Sequence, residues 1–355
     1  MDIWTWVQLF GTSAFVIIAY ILVQRRQFFG KTLVYVGLAV VVLRMVLFDN
    51  PLAWRAYEML LDKSDLDFRP RAMLRHNLMS LQRAPDVRYL AVGSSQVPAV
   101  FGRYDMLDDT NQVVVFSLPG MSTMEYVLYW ESLVRQQPDT ILLYISEFDF
   151  GRAPHWSQLE EAPARLSDLP VLWALLSGTT PVREFLPSFG RHVLAGLFPE
   201  YRHRFVFRAL WDKLSFKRKV LAAPSPLEVA DEEAQVVHMQ RLTNLKNDYS
   251  NFHLSFLEEV FRRAEAAGIE VMVLEGQYHP DAYTRENQRL NEEVRRSILN
   301  LTQRYRNTSY ISRTEVFEFT TADYRDGYHV RKESGAEFTK RLMLRLGESV
   351  APGVK

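Results

Sequence analysis

Two long apolar runs open the chain, and short apolar runs separated by amphipathic stretches fill the rest. Ile3 to Val23 is 21 residues without a charge. At about 1.5 Å per residue that is enough to cross about 30 Å of hydrocarbon. Thr32 to Phe48 adds 17 residues and carries only Arg44, whose long stem lets its charge reach an interface. Arg25, Arg26 and Lys31 lie between the runs, so the positive-inside rule predicts a hairpin with a cytoplasmic loop and both ends facing out. Asp2 stands where a signal peptide carries basic residues, and no small-residue cleavage site follows. The reading is a transmembrane hairpin of two helices over 1–48, a juxtamembrane connector over 49–86 and an extracytoplasmic domain over 87–347. A second run that failed to span would put that domain on the cytoplasmic side.

From residue 87 the pattern changes period. Val87–Val92 is apolar but for Arg88 and ends at Gly93, as expected of a strand buried on both faces. Val113–Ser117 and Thr140–Ser146 read the same way, and Ile269–Leu274 makes a fourth strand and Ser309–Ile311 a weak fifth. Between them the period becomes helical. Ser122-Thr-Met-Glu125 is a capping box opening a helix with Met124, Val127, Leu128 and Val134 on one face, stopped by Pro138. Phe252 to Ala267 carries Phe256, Leu257, Val260, Phe261 and Ala264 on one stripe, with Gly268 as its terminator. A long polar helix follows over 284–306, and a last one over Glu333–Leu346. Strands alternating with helices predict an α/β domain of three layers, with about five parallel strands and helices on both faces. Ligands of such sheets bind at the carboxyl ends of the strands.

Residues 150–240 interrupt the alternation with eight prolines and no strand pattern, and read as a helical insertion. Nine basic residues between Arg183 and Lys219 face only Glu184, Glu200 and Asp212, and eight aromatic residues are interleaved among them. That mixture suits an ordinary solvated helical face, a lipid headgroup layer or an anionic partner. The whole chain balances 42 basic against 42 acidic residues, which argues against a general nucleic-acid binder. It has no cysteine, so disulfides, thiolate metal sites and cysteine nucleophiles are excluded. His76, His155, His192, His203, His238 and His253 show no metal-ligand spacing, and neither a phosphate-binding glycine loop nor a dinucleotide fingerprint is present. No metal or cofactor is expected.

Two short motifs fall where a parallel sheet places its site. Gly93-Ser94-Ser95-Gln96 follows the first strand, where glycine permits a sharp turn that exposes the next hydroxyl, and backbone N–H groups there can stabilise an oxyanion. Asp326-Gly327-Tyr328-His329 precedes the last helix. A serine needs a base within hydrogen-bond reach, histidine is the usual base, and a carboxylate fixes its tautomer. Each motif alone is commonly a turn or cap, and their conjunction on this strand order is what points to chemistry. His279, after the fourth strand, is a candidate pocket residue or a turn histidine. Glu147 and Glu275, ending the third and fourth strands, suit sugar hydroxyls or neighbouring arginines.

Together Gly-Ser-Ser95 after the first strand and Asp326-x-x-His329 before the last helix resemble the SGNH/GDSL hydrolase superfamily, over roughly residues 86–347. The resemblance implies a flavodoxin-like sheet, Ser95 as nucleophile, His329 as base and Asp326 as its orienting carboxylate, with no cofactor. Ser94 falls where the commoner first block has aspartate. Gly120, in the Pro-Gly turn after the second strand, matches the second-block glycine that gives an oxyanion N–H. The third block departs: the family has Gly-x-Asn-Asp, whereas this chain has Ser146-Glu147-Phe148-Asp149, so the asparagine donor is missing and the oxyanion hole is incomplete or built otherwise.

With the anchor, the divergent blocks resemble membrane-bound members that serve envelope acylation, such as the D-alanyl transfer protein of teichoic acids and the polysaccharide O-acetylation proteins. That implies an O-acyltransferase or esterase acting on an extracytoplasmic glycan through an acyl-serine. Its expected partners are membrane lipids, a polysaccharide acceptor and a membrane-bound O-acyltransferase, with no nucleic acid. The rival reading is a non-catalytic scaffold docking on a membrane enzyme, which the missing asparagine favours and the retained serine, histidine and aspartate oppose.

Overall fold

The computed structural model describes residues 87–102, 113–197 and 249–347, apart from 163, 164 and 166, together with Tyr35 and some positions between 74 and 81. Contacts divide the chain into two compact units, Met1–Arg69 with Val193–Leu221 and Pro70–His192 with Ala222–Lys355, the first almost wholly outside the described residues. The two apolar runs of the expected hairpin, Tyr35 apart, lie outside the described residues, as does 198–248 of the basic, aromatic insertion. Among the described residues no helix is long and apolar enough to cross a membrane.

Five strands make one parallel sheet: β1 (Tyr89–Gly93), β2 (Val113–Ser117), β3 (Thr140–Ile145), β4 (Glu270–Glu275) and β5 (Thr308–Ile311), in the order β2-β1-β3-β4-β5. β1 and β3 are buried along their whole length, which is why they read as unbroken apolar runs. Successive side chains point to opposite faces, so Leu90, Val92, Leu143 and Val273 enter one core while Ala91, Leu142, Tyr144 and Leu274 enter the other.

The first core is closed by α2 (Thr123–Leu128), α3 (Trp130–Val134), α7 (Ser250–Ala267) and α8 (Arg285–Thr302). Ser122 and Glu125 close the expected capping box at the start of α2. The expected continuous helix over this stretch is broken at Tyr129, which is buried against Phe116; there Ser132 N bonds to Tyr129 O at 2.8 Å, tightening the helix to an i→i+3 turn. α7 buries the phenylalanine stripe read from its sequence, and Gly268 ends it in the left-handed conformation at φ 70°. Leu81, with Leu74 and Leu78 beside it, packs into the same core from within the stretch expected to be a connector, and buried Asn77 donates Nδ2–H to Ser117 O at 2.5 Å.

Three helices follow β3: α4 (Trp156–Glu161), α5 (Leu169–Thr179) and α6 (Val182–Leu197). Leu159, Leu172, Leu176 and Phe185 drive into the first core, so the described part of the insertion is built onto the sheet. On the opposite face α1 (Val97–Phe101) packs against α9 (Lys332–Arg345). Phe338 meets Phe101 and Tyr144 edge to face, with ring centroids 6.2 and 6.0 Å apart, and Thr339 Oγ1 donates to Val100 O at 2.7 Å. Full burial of a ring such as Phe338 contributes on the order of 2–3 kcal/mol. The parallel register aligns Gly93 with both Ser117 and Tyr144, so β1, β2 and β3 finish at one edge. That edge holds the point where the strand order reverses, between β1 and β3.

Candidate active site

β1 ends in a turn that only glycine fits. A Cβ on Gly93 would lie 2.6 Å from Val97 Cγ2 and 3.0 Å from Tyr144 O, because the chain doubles from strand into α1 while β3 runs alongside. Val97 N donates to Ser94 O at 3.1 Å, closing the turn. Ser94 is buried within it, and Ser95 is left half-buried at the sheet edge.

The second half of the site arrives 230 residues later on a short loop tied at its base. Tyr324 and Val330 form an antiparallel bridge, Arg325 N donates to His329 O at 3.0 Å, and Arg331 N to Asp323 O at 2.7 Å. At its tip Asp326 Oδ1 accepts from Tyr328 N and His329 N, both at 2.8 Å. His329 Nδ1 lies 3.0 and 2.9 Å from the two carboxylate oxygens, and its Nε2 lies 3.0 Å from Ser95 Oγ. An ionised carboxylate only accepts, so the ring proton sits on Nδ1 and Nε2 is free to accept from the Ser95 hydroxyl. Burial alone would raise the Asp326 carboxyl; the bonds from His329 and the two backbone N–H groups outweigh it and hold it down at about 2.

Gln96, the last residue of the Gly93-Ser94-Ser95-Gln96 motif and one to which the sequence assigns no role, locks the two halves together. Its Nε2 donates to Tyr328 O and to Gln277 O, both at 3.1 Å. Gln277 is held in turn by Phe319 N, 2.9 Å from its Oε1, and by Phe317 O, 2.8 Å from its Nε2. His279 also serves this loop: its N–H donates to Gly327 O at 3.4 Å, its ring meets Tyr324 edge-on, and its Nδ1 accepts from Asp281 N. Those bonds make it a turn residue bracing the Asp326 segment.

The other expected positions divide. Gly120 adopts φ 66° in the turn after β2, which Gln158 clasps by donating Nε2–H to Pro119 O at 3.0 Å. Ser146 is fully buried: its Oγ accepts from Phe148 N at 3.3 Å and its N–H donates to Asp149 Oδ2 at 3.0 Å, capping the 3₁₀ turn over Glu147–Gly151. Glu147 and Glu275 are buried side by side. Burial and the neighbouring Glu275 charge push the Glu147 carboxyl up against the pull of Arg313. Glu275 accepts from Ser312 Oγ at 2.8 Å and Arg313 N at 3.0 Å, with the Arg295 and Arg313 guanidinium groups at 3.6 Å. Neither glutamate opens to solvent, and of the two roles read for Glu275 it is the pairing with arginines that the geometry fulfils.

Arg152 and His155 close the far side of the site, and no local signal in the sequence singles them out. The Arg152 guanidinium donates to Tyr278 OH at 2.5 Å, approaches Asp149 Oδ1 at 3.6 Å and lies 5.7 Å from the Tyr328 ring centroid. Among the described residues no cluster of three or more His, Asp or Glu is placed to hold a metal ion. No protein-family model matches the chain, and no curated protein matches it. A solved structure described as "a putative platelet activating factor from Streptococcus pneumonia" is similar at 13% identity and a TM-score of 0.42, covering 84% of this chain and 99% of that one. A likeness at that level says nothing of function, which rests on the site itself.

Proposed function

We propose that this chain is a serine acyl-transfer enzyme of the SGNH type, with Ser95 as nucleophile, His329 as base and Asp326 as the carboxylate that orients it. The observation that carries the reading is the continuous path from Ser95 Oγ through both nitrogens of His329 to Asp326, which joins residues 234 positions apart. Ser95 Oγ attacks the carbonyl carbon of an acyl ester while its proton passes to His329 Nε2. The tetrahedral adduct collapses, the C–O bond to the leaving alcohol breaks, and His329 returns the proton to that oxygen. A second hydroxyl, from a glycan or from water, then attacks the acyl-Ser95 by the same steps in reverse. The acyl ester and the acceptor hydroxyl balance the reaction without a further reactant.

The flavodoxin-like strand order with helices on both faces fits this superfamily, and α4, α5 and α6 are the described part of the insertion after β3. The finer reading is an enzyme anchored by the hairpin over 1–48, facing out of the cytoplasm, and acting on an envelope polysaccharide beside a membrane-bound O-acyltransferase. Exposed Trp173, Val182 and Leu186 on α5 and α6 support a surface that meets lipid or a membrane protein. The test is to label full-length protein in native membranes with a fluorophosphonate probe and map the adduct. The expected result is an adduct on Ser95 that the His329→Ala protein does not form. Abundant folded protein without an adduct would favour the scaffold reading, to which the third-block sequence Ser146-Glu147-Phe148-Asp149 already lends weight.

A further inference from the structure

A nucleophilic serine needs donors aimed at the oxygen that becomes negative, and removing one such donor costs on the order of 10²–10³ in rate. The chain offers the Gly120 N–H for that role but no asparagine after β3. The oxyanion must form near the adjoining ends of β1 and β2, because Gly93 pairs with Ser117 and the chain reaches Ser95 and Gly120 two and three residues later. Over that corner stands the imidazole of His155: a Cβ placed on Gly120 would be 3.1 Å from its Nε2 and 3.4 Å from its Cδ2. His155 is exposed, and among the described residues no hydrogen bond occupies either of its ring nitrogens.

Its position is fixed by the fold. His155 is the residue before α4, and α4 is bound to the Gly120 turn through Gln158 and Pro119 O. A second tie runs through the buried imidazole of His253. Thr123 Oγ1 lies 3.0 Å from His253 Nδ1, and His253 Nε2 lies 2.9 Å from Arg152 O. A carbonyl only accepts, so Nε2 carries the proton, and Nδ1 of the neutral ring accepts from Thr123. The turn after β2 and the segment that carries His155 are therefore pinned to one buried side chain.

We infer that His155 is the missing oxyanion donor, its Nε2–H completing with the Gly120 N–H the site that binds the tetrahedral adduct on Ser95. The inference rests on the acyl-transfer reading and adds a catalytic group to it. Partial desolvation and the Arg152 cation hold the His155 imidazole below its usual pKa, so at neutral pH it is a neutral ring with one N–H to give. It shares that proton with the oxyanion and takes none, and the Ser95 proton still travels through His329.

The experiment measures the rate of Ser95 phosphonylation by the fluorophosphonate probe in full-length protein, comparing wild type with His155→Ala, His155→Phe and His155→Gln across pH 5–9. Wild type should label on Ser95. The Ala and Phe proteins should label about 10²-fold more slowly, and Gln, which restores an N–H donor, should fall between. The shape of the pH profile should not change, since His329 remains the base. His155→Phe labelling at the wild-type rate, Gln as slow as Phe, or a displaced pH profile would each overturn the assignment. Absence of any wild-type adduct is a different result, which removes the acyl-transfer reading and this inference with it.

Discussion

Asp326→Asn separates what the carboxylate does for folding from what it does for reactivity. Both backbone bonds at the loop tip go to Oδ1, from Tyr328 N and His329 N, so an asparagine can keep them and the loop with them. What it loses is charge, and with it the certainty that Nδ1 of His329 holds the proton. The native carboxyl sits at about 2 against an ordinary 3.8, and at about 1.4 kcal/mol per pH unit this is about 2 kcal/mol. Because the folded value is the lower one, that stabilisation is complete above pH about 4 and is lost as the pH falls towards 2. Asp326→Asn should therefore unfold about 2 kcal/mol more easily than wild type at pH 7, and the gap should close between pH 4 and 2; urea unfolding followed by tryptophan fluorescence reads both. The amide can turn its NH₂ to Nδ1, which favours the tautomer with the proton on Nε2, unable to accept from Ser95. In a triad of this kind such a tautomer error costs ~10⁴ in rate. Fluorophosphonate labelling of Ser95 within tenfold of wild type would refute the tautomer argument, and a stability gap that persists at pH 2 would refute the linkage.

Three further outcomes follow from other corners of the fold. Gly93→Ala puts a Cβ 2.6 Å from Val97 Cγ2 and 3.0 Å from Tyr144 O, which should destabilise by about 1–3 kcal/mol in urea unfolding and slow Ser95 labelling by displacing the turn. Glu125 is fully buried, and burial pushes its carboxyl up to about 7 from 4.5, so native stability falls by about 3 kcal/mol as the pH rises between those values; Glu125→Gln should abolish that fall. His253 has the opposite sign. Burial holds its imidazole at about 4 against 6.5, so stability is lost as the pH falls between those values, again by about 3 kcal/mol, and His253→Phe should remove that dependence while slowing Ser95 labelling through the freed Arg152 carbonyl.

Much of this architecture was open to sequence reasoning because its signals are local. A parallel strand buried on both faces has to be an apolar run, and β1 to β4 are short enough for such runs to mark them within a residue or two. The candidate site groups were legible for a related reason: Ser95 sits in a strand-to-helix turn that demands Gly93, and Asp326 reaches His329 across only Gly327 and Tyr328. Each half of the triad is written in a handful of neighbouring residues, and the parallel topology then specifies which edge they share.

The residues that hold the triad in place have no such local form. Gln96 acts on Gln277 O across 181 positions, and His253 bonds Thr123 and Arg152 across 130 and 101. Along the sequence His253 is one polar position beside the phenylalanine stripe of α7, where nothing distinguishes a tether from a stray core histidine. Glu147 and Glu275 show the same limit. Their places at strand ends suit sugar hydroxyls and neighbouring arginines equally, and the choice is made only when Ser312, Arg295 and Arg313 arrive from other elements to bind Glu275, while burial against it takes Glu147 out of solvent. His155 combines both difficulties, since neither its spacing nor its neighbours mark it, and its meaning comes only from standing over Gly120. A donor that serves a transition state needs one geometric relation to the reacting atom and no particular place in the chain. Under the proposed acyl-transfer reading, the donor that the SGNH superfamily takes from an asparagine after the third strand would come here from the loop leading into α4.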